Sequence, residues 1–201
     1  EQYQFLFEKL SDLMNENNDI ISMKKYVKEV NKIINTDEQQ DAYEFYQLLI
    51  DKQNQDCQAI FTGNFVNHIE GINNDYNSVN TENFTALDMT VNNKENLDES
   101  FHSFAEPEFF SIQDNVDVKR YQKIGKAPPV LVIQLKRFEI DYNNFTRYKI
   151  NSVYQFPQEI DLGPYMDDSQ IEHKYYELFG VVIHSGQANS GHYYSLIKLN
   201  N

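Results

Sequence analysis

Between Tyr3 and Met14 the apolar residues Phe5, Leu6, Leu10, Leu13 and Met14 return at spacings close to the helical period, which predicts an amphipathic helix. A second helix is expected over Met23–Ile34. A third follows over Asp41–Ile50, where Ala42, Phe45, Leu48 and Leu49 form one apolar stripe and Thr36 or Asp37 offers an N-cap. After Cys57 the pattern changes to short β-like runs, Ala59–Ile69 and Phe84–Val91, with the polar stretch Gly71–Asn83 expected as a loop between them. Leu97–Phe104 reads as one more short helix. Val130–Phe138, introduced by Pro128-Pro129 and rich in β-branched residues, carries the strongest strand pattern and is expected at the centre of the sheet. Asp141–Asn144 reads as a turn into a strand at Phe145–Ile150, and Phe156-Pro157 closes another extended piece. Tyr175–His184 and Tyr193–Leu199 read as two strands joined by a Gly-containing loop, Ser185–Gly191. Helices first and a mostly antiparallel sheet afterwards make an α+β fold.

At 201 residues the chain is long enough for one domain with a sizeable core, and 14 Phe with 14 Tyr supply the aromatics that a disordered chain lacks. A formal charge of -14 argues against nucleic acid and anionic membrane as partners, because the long-range field repels phosphate. No run of about 18 apolar residues is present to span a bilayer. Cys57 is the single cysteine, which rules out an internal disulfide and a Cys-rich zinc site, so neither metal nor cofactor is expected. A cytoplasmic or nuclear location fits that usage. The start at Glu1 rather than Met leads to the expectation that the sequence is a piece of a larger polypeptide or complex.

The chemistry concentrates at the C-terminal end, where Gly191-His192 opens a predicted strand directly after a loop of small residues. A strand fixes an imidazole rigidly, and small residues before it leave room for a substrate backbone, which suits a general base. A lone histidine is nevertheless more often structural than catalytic. Three further segments alter that balance. They are Gln39-Gln40-Asp41-Ala42-Tyr43-Glu44-Phe45, the run from Pro128 through Gln134 to Phe138, and Phe156-Pro157 followed by Asp161-Leu162-Gly163-Pro164-Tyr165. With Gly180 to His184 and Gly191 to Tyr194 they resemble, in family order over roughly residues 39 to 198, the boxes of the ubiquitin-specific proteases, a papain-like cysteine peptidase family.

The resemblance implies roles residue by residue. His192 falls on the family's catalytic base, which activates a cysteine for attack on the (iso)peptide carbonyl after ubiquitin's last glycine. Asp41, Glu44, Phe138, His184 and Tyr193 fall where the family lines the channel for ubiquitin's extended tail, with Asp41 and Glu44 expected close to His192 and Tyr193. Carboxylates suit a tail that contains arginines. The plainer readings are a solvated helix face for Glu44 and core packing for Phe138 and Tyr193. The implied partners are ubiquitin and ubiquitinated proteins. One partial domain is expected, divided into a helical part (1–58), a finger-like part without zinc cysteines (59–127), and a sheet part with the histidine box (128–201).

The departures matter as much. The family's Asn-x-x-Cys box is not found before Gln39, and only nine residues follow His192, so the third catalytic residue is expected elsewhere. Cys57 lies beyond the glutamine box without a glycine-rich approach, and reads as an incidental thiol. The two Cys-x-x-Cys pairs of the family's fingers are lacking, so that region is expected to be held by packing alone. Taken by itself this chain is expected to be inactive. Three functional readings follow: a deubiquitinating peptidase, incomplete as given; a pseudoprotease serving as ubiquitin-binding scaffold; and a protease for a ubiquitin-like modifier.

Overall fold

The computed structural model describes residues 28, 30, 39–112, 116–167 and 174–198. The expected helix over Tyr3–Met14 lies outside them, as does most of Met23–Ile34, of which Lys28 and Val30 are described and helical. The chain divides after Gln58 into two compact units.

In the first unit, helix α1 runs Ala42–Asp51. Its N-cap is Asp41 rather than Thr36 or Asp37: the Asp41 backbone is extended, and its Oδ1 accepts from the Tyr43 N–H at 2.8 Å and the Glu44 N–H at 3.2 Å. A carboxylate there satisfies donors that the first turn leaves without helical partners, and its charge suits the helix N-terminus. Helix α2, Gln55–Phe61, crosses the unit boundary and corrects the β-like reading of Ala59–Phe61. Asn54 Oδ1 accepts from the Cys57 N–H at 2.9 Å, which starts the helix.

The second unit opens with a four-stranded antiparallel sheet ordered β2-β1-β5-β4, formed by β1 (Gly63–Gly71), β2 (Asn77–Phe84), β4 (Glu108–Ile112) and β5 (Val116–Lys126). Strand β2 occupies most of the stretch read as a loop. Its sequence is polar because it is an edge strand exposed on both faces, so hydrophobic alternation carries no signal there. Side-chain polar links, not packing alone, hold the far end of this sheet. Glu70 pairs with Lys119 at 2.8 Å and accepts the Tyr121 hydroxyl at 2.5 Å. The Lys119 and Tyr121 hydrogen bonds hold the Glu70 carboxyl below the usual carboxylate range, and the bond to Glu70 pushes the Tyr121 phenol up to about 12. At the β1–β2 turn Asn74 Nδ2 donates to the Asp117 carbonyl at 3.2 Å, while Ser111 Oγ donates to Asp117 Oδ1 at 2.6 Å.

At the opposite end of this sheet Phe65, Phe84 and Ile124 reach the core, which is built with Leu87, Met89, Val91, Leu97, Phe101, Leu162 and their neighbours. Helix α3, Leu97–Ala105, presents Leu97 and Phe101 to it, as its spacing predicts, and is capped by Asn96. Ser100 is buried on the same face. Its hydroxyl lies 2.5 Å from the Thr90 carbonyl and 2.7 Å from the Tyr154 hydroxyl, so a polar group enters the core with its partners.

Strand β3 (Leu87–Thr90) pairs in parallel with β6 (Ile133–Lys136), and these two form a sheet of their own. The expected central strand Val130–Phe138 is therefore shorter and belongs to a two-stranded sheet, with Ile133 and Leu135 packed on the core. Pro128 and Pro129 remove two donors at its start, and after β6 the chain breaks at Arg137 before resuming as β7, Phe138–Asp141. Arg137 has a fastening role. Its guanidinium donates to the carbonyls of Ile150 (3.0 Å) and Ser152 (3.2 Å) and lies over the Tyr154 ring, tying the hairpin of β7 and β8 (Thr146–Lys149) to the core edge. Strands β9 (Glu159–Asp161) and β10 (Tyr175–Glu177) pair next. The last pair is β11 (Gly180–Gln187) with β12 (Ser190–Ile197). Among the described strands every pairing but β3–β6 is antiparallel, and the architecture is α+β, with the strands distributed over several small sheets instead of one.

Candidate active site

The β11–β12 hairpin turns on two residues, Ala188 and Asn189, so the expected Ser185–Gly191 loop is mostly strand. Gly186 permits this tight closure: its φ is +130°, and a Cβ there would stand 2.5 Å from the Ser190 carbonyl oxygen. His192 is consequently the third residue of β12, held on both sides along the chain, rather than at the opening of a strand after a loop.

Register then decides which residues share a face. His192 is paired with Ser185 and Tyr194 with Ile183, while His184 is paired with Tyr193 and Gly186 with Gly191. Because side chains alternate along a strand, His192 lies on one face of the hairpin and His184 and Tyr193 on the other. On the second face Phe138 joins them, its ring centroid 5.1 Å from the His184 imidazole in an edge arrangement, with the Tyr193 ring 4.8 Å from that imidazole. Arg147 stacks its guanidinium 5.0 Å above the Phe138 ring. The structure thus brings Phe138, His184 and Tyr193 together. His192, exposed to solvent, looks the other way.

The space over Gly191, expected to admit a substrate backbone, is occupied by His184. A Cβ at Gly191 would stand 2.3 Å from His184 Nε2 and 2.4 Å from the Ser185 carbonyl oxygen. The glycine is needed by the imidazole. Gly191→Ala is expected to cost about 1–3 kcal/mol in urea unfolding, as overpacking does, and to displace the His184 ring resonances in NMR spectra. Unchanged stability and spectra would show that the strand yields without moving the ring.

Asp41 and Glu44 belong to the first unit, where Asp41 is the helix cap and Glu44 is an exposed first-turn residue. The capping role was not foreseen, although an Asp directly before an apolar periodic run is the ordinary signal for it. Asp41→Ala is expected to destabilise by about 1 kcal/mol and to speed amide exchange at Tyr43 and Glu44, whereas Asp41→Asn keeps the cap. Equal losses from both variants would show that charge rather than capping is at stake. Cys57 is half-buried within α2, and the sequence up to Gln58 contains neither a histidine nor a glycine. Among the described residues no cluster of three or more His, Cys, Asp or Glu side chains is placed to hold a metal.

A family model described as ubiquitin carboxyl-terminal hydrolase matches residues 1–201, the whole chain. The chain belongs to the ubiquitin carboxyl-terminal hydrolase family. It is 36% identical over 188 residues to ubiquitin carboxyl-terminal hydrolase 15 of Saccharomyces cerevisiae, covering 80% of this chain and 15% of that protein. It is 30% identical over 203 residues to the probable ubiquitin carboxyl-terminal hydrolase FAF of Drosophila melanogaster, covering 84% of this chain and 7% of that one. Among solved structures, the SAGA DUB module of Ubp8, Sgf11, Sus1 and Sgf73 bound to monoubiquitin superposes with a TM-score of 0.82 at 26% identity, over 99% of this chain and 51% of the matched chain. The hydrolase-family chain described here therefore spans a small part of its two relatives and about half of its structural neighbour. The α+β fold and the family are the ones its four sequence boxes lead to.

Proposed function

We propose that this chain is part of a deubiquitinating cysteine peptidase that binds ubiquitin and hydrolyses the (iso)peptide bond at its C-terminus, with His192 as the base and a cysteine supplied outside these 201 residues. The observation that carries the reading is the β11–β12 hairpin: an exposed imidazole on a rigid strand, with an aromatic wall on the opposite face. A base in this setting takes the thiol proton and then delivers it to the leaving amine.

In this reading the tail runs extended along the side of β12 that faces away from β11. Tyr193, with His184 and Phe138 behind it, then flanks the tail on one face and His192 reaches the scissile carbonyl from the other, a strand-addition geometry. Asp41 and Glu44 supply carboxylates for the tail's arginines through charge-assisted hydrogen bonds. Ubiquitin and ubiquitinated proteins are the partners, in the cytoplasm or nucleus, and the neighbour's assembly with Sgf11, Sus1 and Sgf73 supports membership of a larger complex.

The test is binding of the full-length protein to ubiquitin and to ubiquitin without its C-terminal tail, alongside hydrolysis of a fluorogenic ubiquitin amide. Tail-dependent binding with hydrolysis supports the reading. Equal affinity for both forms removes the channel, and binding without hydrolysis removes the peptidase.

A further inference from the structure

Lys149 stands out among the lysines of the second unit because its ammonium is directed to main chain. It is half-buried at the end of β8, and its Nζ donates to the His184 carbonyl at 2.8 Å and to the Gly186 carbonyl at 3.4 Å. Carbonyls two residues apart on a strand emerge on the same edge, so one ammonium with three donors spans both. No ladder joins the β7–β8 and β11–β12 sheets, and Lys149 makes the link in its place.

The register sharpens the point. Phe138 is the partner of Lys149 across the β7–β8 hairpin, so the two side chains lie on one face. One packs on the ring of His184 and the other binds its carbonyl. The hairpin therefore grips a single residue of β11 by both side chain and backbone. Two residues further on, the same ammonium holds Gly186, whose positive φ begins the turn that returns the chain to Gly191 and His192.

We propose that Lys149 is a positioning residue for hydrolysis: it fixes the end of β11, and through the two-residue turn the place of His192, relative to the tail-binding face. The proposal rests on the peptidase reading given above for what His192 does, and not for the clamp itself. A base displaced by a fraction of an ångström still binds substrate but transfers its proton poorly, so the effect belongs in kcat rather than KM.

The test compares Lys149→Met and Lys149→Arg in the full-length protein. For Lys149→Met the expected result is a fall in kcat of about tenfold on a ubiquitin amide with KM held within about twofold, as loss of placement without loss of binding requires. Amide exchange is expected to quicken locally at residues 185–191, and Lys149→Arg, which keeps the donors, recovers most of both. Unchanged kcat and unchanged exchange overturn the proposal. So does faster exchange across the whole unit with a matching loss of thermal stability, which marks a general packing role. If the unaltered protein hydrolyses no ubiquitin amide, the peptidase reading fails, and the exchange at 185–191 still decides whether Lys149 is a clamp.

Discussion

Replacing His192 by alanine in the full-length protein is expected to lower hydrolysis of a ubiquitin amide by about 10²–10⁴, the range that a positioned general base contributes, while ubiquitin affinity stays unchanged. The chain offers two histidines in its histidine box, and their surroundings distinguish them. His184 packs on Phe138 and Tyr193 and across Gly191, so its ring is committed to packing. His192 is exposed on the other face of the hairpin, paired with Ser185, and is the one with room to meet a thiol and a leaving amine. His184→Ala should act differently, loosening the wall proposed to flank the tail and so raising KM more than it lowers kcat. A deeper kcat loss from His184→Ala than from His192→Ala would reverse the assignment of the base. Equal small losses from both would remove the histidine box from the chemistry.

The sequence made some of this legible and hid the rest for identifiable reasons. Helix α1 and helix α3 declared themselves through apolar stripes: that of α3 is buried, and the stripe residues of α1 are half-buried beside the buried Ile50. Strand β2 did not, since Asn77–Phe84 is an edge strand whose side chains are mostly in water and whose register comes from main-chain bonds to β1. Val130–Phe138 looked like a long central strand because Val, Leu and Ile cluster there. The strand instead begins only at Ile133 and the break at Arg137 divides it, while its Ile133 and Leu135 pack on the core beside a parallel partner. In the site, the histidine box was readable as a motif, but its division between two faces follows from a two-residue turn that the run of small residues concealed. Lys149 was invisible for a different reason. A lysine before an apolar residue reads as a surface charge, and only the approach of β8 to β11 shows its ammonium on backbone carbonyls.

The 201-residue chain, treated with a ubiquitin probe carrying an electrophile at its C-terminus, is expected to remain unlabelled, whereas the full-length protein is expected to form a covalent adduct. Covalent capture depends on a thiolate poised beside an imidazole, and removing the nucleophile from such a unit leaves only what binding and electrostatics provide. Cys57 is the chain's single thiol, and its placement suits structure better than chemistry. It sits half-buried in the seven-residue helix α2, its N–H bound to Asn54, and no glycine occurs before Gly63 to let a ubiquitin tail approach the backbone closely. Cys57→Ser is therefore expected to leave labelling of the full-length protein intact. Mass spectrometry of the adduct locates the modified residue. An adduct at Cys57 would assign the nucleophile to α2 and overturn this reading of the thiol. A full-length protein that binds ubiquitin through its tail yet forms no adduct would be a pseudoprotease, with His192 retained on β12 but no sulfur for it to serve.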